Sequence, residues 1–519
     1  MLEGSKEIIP REDRQCTECN SRNVHMHSWT DDRRARRYRC ADCGQTMVAP
    51  FGRKEPPEHK SEIPPHSRYV ITSAQNAAEV YVPFFNALKT YCDHNSAELI
   101  VVPIRYRNPT SVFTDKERGY DWWAKETQGY RYEGRFDLNP NVQLLADIKT
   151  QPTAVSPLAG FETITGAKSG IIAHPKLELR CIPTPHHKLP KVMVTTGACT
   201  KPDYTDTKTG KKGEFHHTLG ALVVEIDGNK FHFRQINAMR DGSFYDLNKR
   251  YTSKAVTTAK RIEAIVMGDT HVDFVDPNVV DATFGSMVPF LKPKYLVWHD
   301  LLDFFSKSHH HRQDPFRGIA KREAEKDIVL DEIIRAVEFI DRYTPKDTIG
   351  ILVPSNHPDA LARWIKETDW RSDPTNATTY LETALHMANG TELTPNGTFV
   401  PDPFHFWVRR LSKKLSQYRL FDRDDSFRIK DIEVCLHGDR GAGGSRGSLA
   451  GISKIGVKTI IGHLHTPGIR DGGYQVGTSS RLKLDYTSGP SSWLHTHCLI
   501  YPNGKRSLVS IIGDKWRLE

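Results

Sequence analysis

The chain has 519 residues, with 38% hydrophobic and 26% charged side chains, too long for one ordinary core and too apolar for wholesale disorder. Its longest apolar stretches, such as Leu99 to Pro103, fall far short of the roughly 20 residues of a membrane span. The start, MLEGSKEIIPRED, lacks the apolar core of a secretion signal, so a soluble cytoplasmic protein is expected. A formal net charge of +9 permits an anionic partner without naming one.

Residues 1–50 carry two tight cysteine pairs, Cys16-Thr-Glu-Cys19 and Cys40-Ala-Asp-Cys43, separated by twenty residues. The other five cysteines (Cys92, Cys181, Cys199, Cys435, Cys498) are scattered. Paired CxxC turns in a chain without a signal read as metal binding: four thiolates satisfy tetrahedral zinc, and a hairpin of this length joins them. A four-cysteine ribbon with one structural zinc is expected. His25 and His27 lie between the pairs, but four sulfurs already fill the coordination shell. Also between them are Arg33, Arg34, Arg36, Arg37 and Arg39, whose forked guanidinium groups suit phosphate oxygens and so suggest a nucleic-acid contact. A solvated edge or a protein-docking surface is the competing reading.

The stretch 51–67, GRKEPPEHKSEIPPHS in its main part, has no apolar periodicity and reads as a linker. From 68 to 257 an α+β domain is expected, opening with a strand at Tyr69–Thr72, a helix at Ala77–Tyr91 and a strand at Leu99–Ile104. Trp122, Trp123, Tyr130 and Tyr132 mark an aromatic loop packed on itself, with base stacking as the lesser alternative. Strand-like runs follow, two of them forming a hairpin around Asp227-Gly228. No catalytic signature appears in this region.

The last segment, 258–519, holds a spaced series of ligand-type side chains. Asp269-Thr270-His271 follows the run RIEAIVMG, Asp300 follows KYLVWH, and Asn356-His357 follows TIGILVPS. His437-Gly438 follows DIEVCL, and Gly462-His463-Leu464-His465 follows VKTII. Each sits just past the C-terminal end of a short apolar strand, the edge at which α/β sheets bind ligands. Oxygen and imidazole donors together suit manganese, iron or zinc in open catalytic sites. A long helix is expected from about Arg317 to Tyr343. His309-His310-His311, His186-His187 and His216-His217 read as surface runs. The glycine-rich loop from Arg440 to Gly447, with Arg446 inside it, could contact phosphate beside His437 or be a simple flexible loop.

The order Asp-x-His, Asp, Asn-His, His, Gly-His-x-His resembles the calcineurin-like metallophosphoesterase superfamily over about residues 260–519. The resemblance implies a four-layer α/β sandwich with two bridged metals, manganese foremost and iron or zinc as alternatives. By position, Asp269, His271 and His465 would bind the first metal, Asn356, His437 and His463 the second, and Asp300 would bridge them. His357 would be the acid meeting the leaving oxygen or the phosphate. Two positions depart from the family pattern: His299 stands where glycine usually precedes the bridging aspartate, and Pro358 where an acidic residue usually follows the Asn-His pair.

With a zinc ribbon on the same chain, the arrangement is similar to the catalytic subunits of double-strand-break repair nucleases and, more loosely, to early DNA-transfer nucleases of tailed phages. The expectation is a manganese-dependent DNA nuclease, with RNA left open as substrate and a homo-oligomer compatible with the size of the middle region. The alternatives are a phosphatase or nucleotide phosphodiesterase of the same superfamily, and a nucleic-acid-binding or assembly protein with a vestigial site.

Overall fold

Short apolar runs become strands and amphipathic runs become helices, giving a mixed α/β fold with several sheets. This computed structural model describes residues 14–19, 21–30, 36–48, 60–106, 122–484 and 487–518. They fall into two compact units, one drawn from 1–63 and 125–132, the other from 64–124 and 133–519.

In the first unit, Val24–Trp29, Arg36–Cys40 and Thr46–Val48 pair antiparallel into a three-stranded sheet. Alternation puts Tyr38 and Cys40 into a small core with Cys16, Val24 and Met47, while Arg39 is exposed. Residues 125–132 join this unit, and the Lys60 amide donates to the Arg131 carbonyl at 2.7 Å. Of the expected linker, 51–59 lies outside the described residues, and Ile63 is buried.

In the second unit, the expected opening strand runs over Arg68–Gln75, and the helix starts later than expected, at Val82, and ends at Asn95. Ala77 has a positive φ of 54°, which a continuing helix does not allow, and Pro83 fits the first turn, where its missing N–H costs nothing. Arg68–Gln75 lies in a four-stranded sheet with Glu98–Ile104, Gly220–Asp227 and Lys230–Asn237, the last two forming the expected hairpin. Buried Arg234 locks that hairpin through Glu225 (2.7 Å) and Asp246 (2.8 Å).

Two larger sheets position the functional residues. The six-stranded sheet runs Tyr418–Leu420, Ile349–Leu352, Tyr295–Trp298, Ala264–Val266, Thr496–Ile500, Arg506–Ser510, and its first four strands are parallel. The ten-stranded sheet includes Ile432–Glu433, Lys458–Ile461, Gly473–Gln475 and Gly468–Arg470, then passes directly to Leu179–Ile182. Five of its strands come from residues 135–195, so the middle region and the ligand-bearing segment share one sheet.

The long helix expected at 317–343 is two helices, Pro315–Glu323 and Val329–Tyr343. The intervening Ala-Glu-Lys-Asp-Ile has one large apolar side chain, and Glu325 turns the chain at φ 53°. The second helix buries Val329, Ile333, Ala336, Val337 and Ile340 at helical spacing. His216-His217 is not wholly superficial: the Tyr204 hydroxyl lies 2.9 Å from His217 Nδ1, and Nε2 donates to the Thr200 carbonyl at 2.9 Å.

Several buried imidazoles are held neutral. The Gly268 amide donates to His497 Nδ1 at 2.9 Å, and the Lys176 amide donates to His174 Nδ1 at 3.0 Å. Burial lowers His174 and His217 to about 4 and His497 to about 3. Because their folded values lie below the ordinary 6.5, the unfolded chain takes up these protons first as the pH falls. Their stabilising contribution is complete above about pH 6.5 and is lost progressively towards pH 4, by about 4 kcal/mol per pH unit for the three together. Urea unfolding should therefore show a markedly lower midpoint at pH 5 than at pH 7.5, and equal midpoints would contradict the neutral assignment.

Candidate metal centre

The strands Ala264–Val266, Tyr295–Trp298 and Ile349–Leu352 are parallel neighbours, so Asp269, Asp300 and Asn356 emerge at one edge of the six-stranded sheet. Ile432–Glu433 and Lys458–Ile461 are parallel neighbours in the ten-stranded sheet and deliver His437, His463 and His465. The turns are sharp. His271, Asp300, His463 and His465 have φ values of 45°, 43°, 75° and 56°, a left-handed backbone that side chains other than glycine seldom adopt.

Asp269, His271, Asp300 and His465 bring one ligand atom each within 4.8 Å of the others, and all four are buried. His271 Nε2 and His465 Nε2 are 2.9 Å apart, and His465 Nε2 lies 3.2 Å from Asp269 Oδ2. Two ring nitrogens on one ion at about 2.1 Å would stand roughly 3.0–3.4 Å apart, so this spacing suits shared coordination. The His463 amide donates to Asp269 Oδ2 at 2.7 Å, tying the two sheets together at the site. Glycine is required at 462, because a Cβ there would lie 2.2 Å from Asp269 Oδ1.

Asp300 reaches towards a second group. Its Oδ2 is 3.9 Å from His271 Nε2 on one side and 3.0 Å from His437 Nε2 on the other. The rings of His437 and His463 are 5.3 Å apart. Asn356 opens the helix Asn356–Glu367. Asp269 Oδ1, Asp300 Oδ1 and Asn356 Oδ1 are buried atoms without a hydrogen-bond partner among the described residues. Buried polar atoms are rarely left so, and this mixture of oxygen and imidazole donors fits divalent cations of the manganese, iron and zinc type.

The charges are set for coordination. Burial alone would raise the Asp300 carboxyl, but His437, His357 and His271 hold it well below the usual carboxylate range. Asp269 is lowered likewise, its burial outweighed by His465 and His437. Burial pulls His271 down, yet Asp303, Asp300 and Asp269 bring it up to about 9. His463 and His465 are lowered, chiefly by burial.

The ribbon presents a second donor set. Cys16 and Cys43 sulfurs are 3.5 Å apart and Cys19 and Cys40 3.6 Å, and all four lie within 4.8 Å of one another. Zinc at about 2.3 Å from each sulfur needs edges of about 3.8 Å, so the four fit a zinc ion. Of the arginine cluster, Arg33 and Arg34 lie outside the described residues. Arg36 stacks 4.3 Å over the Trp29 ring, Arg37 faces Ser28 and Val48 in register, and Arg39 donates to the Gly44 carbonyl at 3.3 Å. In the other unit, Arg440 pairs with Asp359 at 2.9 Å, and exposed Arg446 lies across a bridge from it.

Over 480 residues the chain is 32% identical to Protein A1 of Escherichia phage T5, covering 88% of this chain and 84% of that protein. The chain belongs to the family of T5 Protein A1. No family model matches it, and no solved structure matches it.

In this member of the A1 family, one site residue escaped the sequence reading. Asp303 lies three positions after Asp300, and its Oδ1 is 2.9 Å from His271 Nδ1. Its backbone carbonyl accepts the Nδ1–H of His357 at 2.9 Å, which answers what orients that histidine. Pro358 does not disturb the helix, since it falls in the first turn, where amide groups have no intrahelical partner. The only available signal was the Asp-Leu-Leu-Asp spacing. Asp303 is held in turn from behind: the Phe305 and Ser306 amides donate to Glu332 at 2.7 and 2.9 Å, and Lys321 donates to the Phe305 carbonyl at 2.6 Å. Arg423 ties Asp359 (2.7 Å) to Asp439 (2.9 Å), joining the helix of His357 to the loop of His437.

Elemental analysis of the purified chain should find zinc that Cys40→Ser loses. Asp303→Ala should weaken Mn²⁺ binding by about 10–100-fold in a calorimetric titration while leaving the zinc in place. Unchanged Mn²⁺ affinity would remove Asp303 from the site.

Proposed function

We propose that this chain is a metal-dependent DNA nuclease that hydrolyses phosphodiester bonds with two metal ions. The observation that carries the reading is Asp300, a buried carboxylate that clusters with Asp269, His271 and His465 and whose Oδ2 also lies 3.0 Å from His437 Nε2. Asn356 and His463 are assigned to the second ion beside His437 by their positions in the motif order. A pair of divalent ions held there would supply Lewis acidity and lower the pKa of bound water. Manganese suits the mixed oxygen and nitrogen set, with iron or zinc as alternatives.

The protein's own part lies in holding donors and moving a proton. His271 is kept in place by Asp303, and the tie between Asp269 and the His463 amide keeps the two sheet edges together. His357 is open to solvent, its side chain 29% exposed. With Nδ1–H held by the Asp303 carbonyl, its Nε2 stands 4.0 Å from Asp300 Oδ2. A proton on Nε2 is therefore placed for the leaving oxygen.

A polymeric substrate is favoured by the ribbon. A zinc-braced sheet carrying Arg36, Arg37 and Arg39 offers a grip on nucleic-acid phosphates that a small nucleotide does not need. Membership of a family with a phage representative supports a phage protein working in the cytoplasm of an infected cell.

The test is hydrolysis of supercoiled plasmid, linear duplex, single-stranded DNA and RNA with Mn²⁺, beside chromogenic phosphate monoester and diester substrates. DNA loss should require the metal and vanish in Asp300→Ala. His357→Gln should lower kcat by about 10²–10⁴-fold while still binding two Mn²⁺ ions. Monoester turnover with DNA left intact would overturn the nuclease reading in favour of a phosphatase. No turnover of any substrate would favour a binding protein.

A further inference from the structure

His299 is buried at the end of the strand Tyr295–Trp298 and touches three ligand-bearing loops at once. It is bonded to Asp300. Its backbone carbonyl accepts the amide of Thr270, the residue between Asp269 and His271, at 3.0 Å. Its ring Nδ1 lies 3.2 Å from Nδ1 of His437, with the two rings inclined by 32°. The imidazole of His437 is therefore gripped at both ends, Nε2 by the Asp300 carboxylate at 3.0 Å and Nδ1 by His299.

The chemistry of imidazole then determines where the protons lie. A histidine that gives one ring nitrogen to a metal carries its proton on the other, and that N–H needs an acceptor. His437 turns Nε2 towards Asp300 and the donor cluster, so its proton belongs on Nδ1, opposite His299 Nδ1. His299 can accept there only with a lone pair on Nδ1 and its own proton on Nε2, an atom with no hydrogen-bond partner among the described residues. The ring is also confined: a Cβ on Gly462 would lie 3.3 Å from His299 Cγ, so the loop bearing His463 and His465 is packed closely against it.

We infer that His299 is a positioning residue for His437, accepting its Nδ1–H so that Nε2 is presented to the metal shared with Asp300. A site of this kind more often uses a carboxylate or a carbonyl for the task. Here a neutral imidazole takes that place, and the residue that departs from the pattern beside the bridging aspartate becomes part of the ligand's support. The inference rests on the two-metal reading of the cluster.

The test is Mn²⁺ titration of the full chain by calorimetry, with Mn²⁺ as the only added ligand, followed by electron paramagnetic resonance for the coupled pair. Wild type should bind two ions at the cluster. His299→Leu, which fills the space without an acceptor, should weaken one of the two by about 10–100-fold and leave the other within about twofold. His299→Asn, whose amide oxygen can stand where Nδ1 stood, should retain both ions and the coupled signal. As a measurement independent of any variant, histidine ¹⁵N spectra of the Zn²⁺-loaded wild type should show the proton on Nδ1 of His437 and on Nε2 of His299. His299→Leu binding both ions as wild type does, His299→Asn losing as much as His299→Leu, or a His299 protonated on Nδ1 would each overturn the inference. A wild-type chain that binds no ion at the cluster would overturn the two-metal reading itself, and this inference with it.

Discussion

Three carboxylates, those of Asp269, Asp300 and Asp303, are packed where water scarcely reaches them, and the rest of the site follows from that burden. Removing an ionised carboxylate from water costs several kcal/mol unless opposite charge or hydrogen bonds replace the solvent. Each of the three is answered by imidazole: Asp269 by His465, Asp300 by His437 and Asp303 by His271. Without cations, the histidines themselves must carry positive charge, which is why His271 and His437 are raised despite their burial. With cations bound, those protons would be displaced and the same atoms would become donors. The cluster is thus two charge arrangements of one geometry.

Holding that geometry constrains the backbone as much as the side chains. The donors come from two sheets, and four of them occupy left-handed φ values. Such conformations persist only where neighbours over-determine them. The neighbours here are specific: the His463 amide on Asp269, the Asp300 carbonyl accepting the His271 amide at 2.7 Å, and the close approach allowed by Gly462. Behind them, Glu332 and Lys321 hold the chain that carries Asp303, and Arg423 joins the helix of His357 to the loop of His437. The turns beside the donors are rigid because they are tied from several sides.

What could be read from the sequence was whatever leaves a local trace. Asp269, Asp300, Asn356, His437 and His463 were visible because each follows a short apolar run, and a strand end is a local pattern. The cysteine pairs were visible for the same reason. Asp303 was not, since an aspartate three residues beyond another looks like ordinary surface until the turn at Asp300 folds it back onto His271. The helix 317–343 was overextended because charged residues between apolar ones continue a helical rhythm, whereas one left-handed residue, Glu325, breaks it. The sharing of one sheet between residues 135–195 and the ligand-bearing segment had no local signature at all. Pairing of Leu179 with Ile469 is a property of the folded chain and of neither stretch alone.

That pairing bears on how the protein comes into being. Gly468 stands in register with Arg180, more than half the chain away, and His465 must meet Asp269 before the first donor group exists. A ribosome has therefore made most of the molecule before the ten-stranded sheet can close or the donors can converge. Until then the edge at Leu179–Ile182 waits without its partner strand, and the carboxylate of Asp269 has no histidine from the far sheet. The zinc ribbon, whose sulfurs all lie within the first 43 residues, has no such delay. During synthesis the chain passes through a long interval in which its metal-braced N-terminal sheet can be complete while the buried Asp/His centre cannot yet form.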